Sequence, residues 1–314
     1  MNTQASGPMV GNGLKISAVK DFAGRVARAN CNVLVTGETG TGKELVARLI
    51  HSLSLRAKAP LVCFNCAAIP DALLEAELFG HEKGAFTGAW QRSEGRIGEA
   101  HTGTLFLDEV GEMSMNAQAK VLRSMESGQI QRLGAKGTTP VDIRLVAATN
   151  QDLEAMVRDG RFRKDLYFRL NVAQIALPPL RERLDDILEL AEHFLRLFSV
   201  ASPKPPVDFS SRVKVGFLRY SWPGNIRELK NVVEVALVHE PYPLVELNHI
   251  PEAIWPPESR PEPMPADRAR ILDALRFAHW NKSEAAKQLH WSRMTLYRKI
   301  ARYSIQDESS DAAT

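Results

Sequence analysis

The stretch Gly37-Glu38-Thr39-Gly40-Thr41-Gly42-Lys43-Glu44 restricts this chain more than any other. It follows the apolar run Val33-Leu34-Val35 and leads into Leu45-Val46-Ala47-Arg48-Leu49-Ile50, which is apolar at helical spacing. Strand, glycine-rich turn and helix in that order are the setting in which such a pattern makes a P-loop. The glycines let the backbone fold back with its N–H groups pointing inward. The positive end of the helix dipole faces the same hollow, so the stretch suits a polyphosphate. Lys43 adds a point charge for the terminal phosphates. The generic pattern has Ser or Thr after the lysine to ligate magnesium, and here that position is Glu44.

A strand-turn-helix at residues 33–50 asks for a sheet around it, and the next part of the chain supplies one. Strand candidates are Val33–Val35, Leu61–Phe64, Thr104–Leu107, Ile143–Ala148 and Val172–Ala176. Helix candidates are Lys43–Leu53, Asp71–Phe79, Asn116–Glu126 and Asp152–Arg158, after a lead-in helical pattern from Val19 to Ala29. The alternation predicts an α/β fold, a parallel sheet covered by helices, with the ligand at the C-terminal ends of the strands. From Pro178-Pro179 the strands stop. Asp185–Phe198, Ser210–Arg219 and Ile226–Val238 read as amphipathic helices of a small helical domain. Pro251 to Pro265 holds six prolines, a density that prevents packing into helix or sheet and makes a stiff linker. The expected organisation is an α/β part over 1–178, a helical part over 179–250, a linker over 251–265, a third unit over 266–305 and a disordered tail over 306–314.

With 314 residues, two or three domains are expected. A chain 44% hydrophobic and 25% charged has real cores and is soluble, and its net charge of +3 is too small to argue from as a whole. No apolar stretch approaches the ~18 residues that span a bilayer, and Met1 to Gly13 carries no signal-peptide core. The expectation is a cytoplasmic protein with no membrane partner. Cys63-Phe64-Asn65-Cys66 spells C-x-x-C, but no second pair or paired histidines accompany it, so the cysteines read as small apolar residues at a strand end rather than zinc ligands.

Thr104-Leu105-Phe106-Leu107-Asp108-Glu109 is an apolar strand ending in two carboxylates, the Walker B arrangement. Asp108 at the strand tip suits magnesium, and Glu109 can polarise an attacking water. Magnesium takes few protein ligands, so the missing hydroxyl at Glu44 is tolerable beside Asp108. ATP and Mg2+ are the expected cofactors and ATP hydrolysis the expected reaction. Asn150 ends the strand Arg144–Thr149, near the place of a γ-phosphate. Asn65 ends Leu61–Phe64 and is placed to hold the Glu109 carboxylate. Phe162-Arg163-Lys164-Asp165-Leu166-Tyr167-Phe168-Arg169 offers Arg163 and Arg169, which suit the spread charge of a phosphoryl-transfer transition state. Either arginine taken alone reads more often as half of a surface ion pair.

Over roughly residues 10–255 the chain resembles the AAA+ domain of bacterial enhancer-binding proteins, the activators of sigma-54 RNA polymerase. Gly84-Ala85-Phe86-Thr87-Gly88-Ala89 carries the resemblance. Asn65-Cys66-Ala67-Ala68, Glu77-Leu78-Phe79-Gly80-His81-Glu82-Lys83, Leu177-Pro178-Pro179-Leu180-Arg181-Glu182-Arg183 and Trp222-Pro223-Gly224-Asn225-Ile226-Arg227-Glu228-Leu229 stand around it. The family's own P-loop has Glu where Glu44 stands. The resemblance implies that Gly37, Glu38, Thr39, Gly40, Thr41, Gly42, Lys43 and Glu44 bind the nucleotide, with Asn150 as first sensor and Arg227 as second. It implies Asp108 on magnesium, Glu109 on the attacking water and Asn65 as the switch relaying nucleotide state. Arg163 and Arg169 match trans-acting fingers, which implies a ring, typically a hexamer. Gly84, Ala85, Phe86, Thr87, Gly88 and Ala89 would contact sigma-54. An exposed phenylalanine on a tip of small residues is unfavourable unless it binds something.

In the tail, Asn281 can cap a short helix over 282–289, and Ser292 a second over 293–303, with a helix over 267–277 across both. Lys282, Lys287, Arg293, Arg298, Lys299 and Arg302 stand against one acid, Glu284, the local excess that a DNA backbone attracts. The pattern resembles a Fis-type helix-turn-helix. Arg293, Met294, Thr295, Arg298 and Lys299 are the candidates to reach double-stranded DNA, the tails pairing as dimers. The turn has His290 where the family has Gly, at a cost on the order of 1 kcal/mol; a basic helix used for dimerisation is the other reading.

The expected function is an ATP-hydrolysing transcription activator that binds upstream DNA and remodels sigma-54 RNA polymerase holoenzyme closed complexes. A AAA+ remodeller of another protein client and a DNA-binding regulator that does not remodel sigma-54 are the alternatives. Few residues precede the lead-in helix, which is too little for the N-terminal regulatory domain of many relatives. Either a regulatory protein acts in trans or the sequence lacks its regulatory part.

Overall fold

The computed structural model describes residues 9–199, 207–239, 241, 243–256, 266–278, 280–289, 291, 293–303 and 305, in two compact units that divide between Pro256 and Pro257. The first unit opens with α1 (Leu14–Arg28), one helical turn earlier than Val19, because Ile16 joins Val19, Ala23, Val26 and Ala27 on the buried face. There follow β1 (Val33–Thr36), α2 (Lys43–Ser52), β2 (Leu61–Asn65), α3 (Asp71–Phe79), the short α4 (Gly95–Glu99), β3 (Thr104–Asp108) and α5 (Met115–Ser127). A two-residue antiparallel pair, β4 (Gln129–Ile130) and β5 (Thr139–Pro140), leads to β6 (Arg144–Thr149), α6 (Leu153–Arg158), α7 (Lys164–Leu170) and β7 (Ala173–Ala176).

Five strands make one parallel sheet in the order β2-β3-β6-β1-β7. Val35 pairs with Ala148 on one side and Ile175 on the other, so β1 lies inside the sheet although it comes first in the chain. The chain leaves β1 for β2 at the far edge, which opens a crevice at the carboxyl ends of β1, β3 and β6. The period of two along β1 sends Val33 and Val35 into the core under α1 and α2, and Leu34 into the opposite core under α3, α5, α6 and α7. At the start of β6 the buried Arg144 donates to the carbonyls of Ala27 (2.7 Å) and Val26 (2.8 Å), satisfying the end of α1; burial holds its pKa below the usual guanidinium value.

Helices α8 (Leu184–Ser199), α9 (Ser211–Arg219) and α10 (Asn225–Val238) form a third core in this unit. Trp222 at its centre is fully buried, its indole N–H donating to the Phe217 carbonyl at 2.8 Å. Two expectations need correction here. Strands do not stop at Pro178-Pro179: β8 (Asp208–Phe209) and β9 (Leu244–Val245) pair in parallel, with Phe209 and Val245 buried. The start of the proline-rich stretch is packed, not a spacer. Ile254 is buried, and the Trp255 indole donates to the Ile250 carbonyl at 3.1 Å. Prolines there exclude a sheet ladder but not a 3-10 turn with apolar side chains. Residues 257–265 and 306–314, read as linker and tail, lie outside the described residues, as do His290 and Ser292.

The second unit contains α11 (Ala266–Phe277), α12 (Lys282–Gln288) and α13 (Arg293–Arg302), closed on a small core of Ile271, Leu275, Ala285, Ala286, Leu289, Leu296 and Ile305. Asn281 caps α12, its side-chain oxygen accepting from the N–H groups of Ser283 and Glu284. Among the described residues no helix is long and apolar enough to cross a membrane.

Candidate functional site

Lys43 is only 6% exposed; its ammonium donates to the Gly37 carbonyl at 3.0 Å and pairs with Glu109 Oε1 at 3.1 Å. The other oxygen of Glu109 accepts the backbone N–H of Asn150 at 3.0 Å, and Asn150 Nδ2 donates to Thr39 Oγ1 at 2.9 Å. The tips of β1, β3 and β6 thus converge on one hollow through Lys43, Glu109 and Asn150. Glu109 has φ +52°, a left-handed conformation that costs a non-glycine residue roughly 1–3 kcal/mol. Strain of that kind persists where the surroundings fix the group, and here Lys43 and Asn150 fix it. Thr41 is buried with its hydroxyl on the Glu38 carbonyl (2.7 Å), while the Glu44 carboxylate accepts Arg48 Nε at 2.9 Å.

Asp108 Oδ1 accepts the N–H of Glu109 at 3.1 Å, and its Oδ2 lies 3.4 Å from Asn65 Nδ2. The Asn65 amide therefore reaches Asp108 and not Glu109. Its own oxygen is turned back to the Ala67 N–H (2.8 Å), capping a 3-10 turn and drawing the side chain away from Glu109. Burial, and then the Glu109 charge, raise the Asp108 pKa. Two carboxylates at one strand tip, of which Glu109 alone is paired with Lys43, are a donor set that a hard divalent cation fits. Among the described residues no group of three or more His, Cys, Asp or Glu stands together as a metal cluster. Burial pushes the Cys66 thiol up to about 12, so it is not a thiolate ligand at neutral pH.

The helical subdomain reaches the P-loop through residues that sequence reasoning passed over. Asn225, fully buried with φ +51°, donates from Nδ2 to Glu38 Oε2 and to the Thr39 carbonyl, both at 3.1 Å, and accepts the Leu180 N–H at 2.7 Å. Arg181 clasps Glu38 with two bonds of 2.9 and 2.7 Å, and Arg183 donates to the Thr41 carbonyl at 3.3 Å. Burial lowers the Arg183 pKa. Gly40, at φ +80°, is where the two parts come closest. A Cβ there would lie 2.3 Å from the Gly224 carbonyl oxygen, and the Ile226 N–H donates to the Gly40 carbonyl at 3.0 Å. Arg227 is exposed beside this contact. The available signal for Asn225 was its place after Gly224 at a helix start, where a left-handed residue with a polar side chain is at home.

Arg163 and Arg169 stand at the two ends of α7. The Arg163 guanidinium binds Asp165 with bonds of 3.0 and 2.7 Å, and Arg169 is exposed. Neither makes a hydrogen bond to Lys43 or Glu109. Buried Gln118 of α5 accepts the Arg163 N–H at 2.8 Å and donates to the Arg161 carbonyl at 3.1 Å, fixing the backbone that carries Arg163. Phe168, 62% exposed, lies with Met115 against Arg163, Lys164 and Asp165.

The segment 84–89 is a closed loop, the Gly84 N–H donating to the Ala89 carbonyl at 2.8 Å. Gly84 and Gly88 have positive φ with open space where a Cβ would lie, Ala85 is half-buried, Thr87 is exposed, and Ala89 is buried. Phe86 is not the exposed aromatic expected. It is half-buried and packs edge-on against His81, with ring centroids 5.0 Å apart. On α13, Arg293, Met294, Tyr297 and Arg298 are exposed and Thr295 is half-buried. The Lys299 ammonium sits 4.5 Å over the Trp291 ring, and that of Lys282 5.3 Å over Tyr297, a residue absent from the sequence-derived set.

Residues 9–176 match the model of the sigma-54 interaction domain, 181–266 that of the AAA+ ATPase lid domain, and 265–303 that of the bacterial regulatory protein Fis family. The chain is 45% identical over 301 residues to the transcriptional regulatory protein ZraR of Salmonella typhimurium, covering 94% of this chain and 68% of that one. It is 44% identical over 301 residues to the regulatory protein AtoC of Escherichia coli K12, covering 91% and 65%. The crystal structure of NtrX from Brucella abortus in complex with ATP superposes with a TM-score of 0.76 at 33% identity, covering 96% of this chain and 70% of that one.

Proposed function

The chain belongs to the sigma-54 interaction-domain family, transcriptional regulators that join an AAA+ P-loop domain to a Fis-type helix-turn-helix, and on that footing we propose that it hydrolyses ATP to remodel sigma-54 RNA polymerase at promoters. The observation that carries the reading is the convergence of Lys43, Glu109 and Asn150 at three strand tips of a chain that also holds the closed 84–89 loop.

The amides of residues 37–44 and the Lys43 ammonium would bind the triphosphate. Asp108 would hold a magnesium ion, whose charge offsets that of the phosphates when it is bound. Lys43 and Glu109 neutralise each other across 3.1 Å. An arriving γ-phosphate competes for Lys43 and leaves the Glu109 carboxylate free to accept a proton from water, while Asn150 positions the phosphate. The γ-phosphoryl group passes to that water, giving ADP and inorganic phosphate. Arg163 and Arg169, which make no hydrogen bond to Lys43 or Glu109, would serve a neighbour's site in a hexameric ring. Arg227 and the Asn225 contacts would pass nucleotide state to the helical subdomain. The 84–89 loop would press on sigma-54 while α13 holds upstream DNA with Arg293, Met294, Thr295, Arg298 and Lys299, all in the cytoplasm.

Transcription from a sigma-54-dependent promoter, run with ATP or a non-hydrolysable analogue, tests this. We expect transcripts with ATP alone, none from Glu109→Gln, and none from Phe86→Ala despite ATP turnover. ATP turnover without transcripts from the unaltered protein would move the reading to another client.

A further inference from the structure

We propose that Trp90 is a second contact residue for sigma-54, an exposed anchor beside the half-buried Phe86. The inference rests on the sigma-54 reading above and adds a residue outside the Gly84–Ala89 motif. Trp90 is 83% exposed, more than any other aromatic side chain among the described residues. Its neighbour in the loop, Phe86, has the opposite disposition, half-buried with its ring against His81. The aromatic surface that this loop offers to a partner is therefore largely that of Trp90.

Its backbone setting differs from that of Phe86 as well. The stem below the loop is closed by paired bonds between His81 and Ser93, 3.1 Å from His81 N–H to Ser93 carbonyl and 2.9 Å in return. The stem is tied to the segment after β4 by Glu82 N–H to the Leu133 carbonyl and Leu133 N–H to the Gly80 carbonyl, each 3.0 Å. The Glu82 carboxylate lies between Arg92 at 3.6 Å and Arg132 at 3.7 Å. Trp90 joins this stem just past the loop closure, its N–H donating to the Gly88 carbonyl at 2.9 Å and the preceding Ala89 buried. Phe86 sits on the tip between Gly84 and Gly88, where a Cβ on either glycine would meet nothing within 4 Å. A side chain exposed on the anchored stem is free to meet a partner as it stands, whereas Phe86 must first leave the His81 ring. Tryptophan has the largest apolar surface of any side chain and is over-represented among residues that dominate interfaces. The partner surface that fits is an apolar patch of sigma-54 broad enough to cover an indole.

The test uses the full chain with purified sigma-54 in the presence of ADP and aluminium fluoride, a mimic of the phosphoryl-transfer transition state. Binding and ATP turnover are measured for the wild type, Phe86→Ala, Trp90→Ala and Trp90→Phe. We expect Phe86→Ala to abolish binding. Trp90→Ala should weaken it by roughly thirtyfold with ATP turnover within about twofold of wild type, and Trp90→Phe should recover part of the loss. Of the five tryptophans, Trp222 is buried and Trp255, Trp280 and Trp291 are half-buried, so the blue shift of emission on adding sigma-54 should come from Trp90 and vanish in Trp90→Phe. Loss of binding in Phe86→Ala with wild-type affinity in Trp90→Ala would overturn the inference and leave the sigma-54 reading standing. Wild-type affinity in both would overturn the two together.

Discussion

Two adjacent carboxylates at the tip of β3 have different partners. Glu109 is held by Lys43 and by the Asn150 N–H, whereas Asp108 has, among the described residues, only the Glu109 N–H and a long contact to Asn65. Glu109→Gln keeps the shape and removes the base. We expect ATP turnover to fall by about a hundredfold or more with ATP affinity nearly unchanged, measured by steady-state kinetics and nucleotide binding on the same preparation. Asp108 carries a pKa raised by burial and by the Glu109 charge. An acid whose folded pKa is raised favours its protonated form. Its contribution to stability is full below the ordinary aspartate value and is lost as pH rises through the raised one. Asp108→Asn should thus raise the thermal midpoint of the nucleotide-free protein at pH 7, and the gain should shrink as pH falls towards 4, while magnesium-dependent turnover is lost. A midpoint gain independent of pH would contradict this account. Lys43, Asp108 and Glu109 were legible in the sequence because strand, loop and helix motifs fix them locally. The target of the Asn65 amide was not, because it depends on which way one side chain turns at a strand end.

Among the elements, α10 matters for how it begins. Its first residue, Asn225, has three hydrogen bonds to two different segments, Glu38-Thr39 of the P-loop and Leu180 ahead of α8, with no solvent to replace them. Asn225→Ala leaves the Leu180 N–H and the Thr39 carbonyl short of a partner, a cost of about 2–3 kcal/mol. Arg181→Ala removes an ion pair whose members are 45% and 43% exposed and should cost less than about 1 kcal/mol. Urea unfolding of the two variants tests the ordering; equal losses would show that the Asn225 contacts exchange freely with water. Gly40→Ala should act like a wedge, since its Cβ meets the Gly224 carbonyl and its φ is left-handed. We expect weakened ATP binding with Lys43 intact, measured by isothermal titration. Helical period and strand alternation placed α10 well, and missed the short helices α4 and α7 and the two-residue pairs β4–β5 and β8–β9, which are too short to show a clear period.

At the scale of the whole molecule, the division between Pro256 and Pro257 separates two units with their own cores. A protein ending at residue 256 should keep ATP turnover within about twofold of the full chain if ring formation does not need the tail, and lose DNA affinity. Full DNA binding by that piece would displace α13 from its proposed role. Within the second unit, Arg298→Ala should lower the slope of log affinity against log salt by about one if Arg298 contacts a phosphate, and relax base preference at one position if it reads guanine. Either outcome is read from titrations at several salt concentrations with a fixed operator and a mismatched one.

The sequence by itself determined the parallel α/β sheet, the P-loop with its two carboxylates, the helical subdomain and the basic three-helix end. Each of these is written in local periodicity and in motifs whose residues are neighbours in the chain. Only the tertiary structure decided how distant segments complete them. It set Asn225, Arg181 and Arg183 on the P-loop, Gln118 under the Arg163 backbone, and Trp255 on the helical core in place of a free linker. It also turned Phe86 onto His81 and left Trp90 as the exposed ring. The physical reason is that hydrogen-bond satisfaction and side-chain burial are settled by whatever lies across the fold, and a one-dimensional pattern records which residues need partners without recording where the partners are.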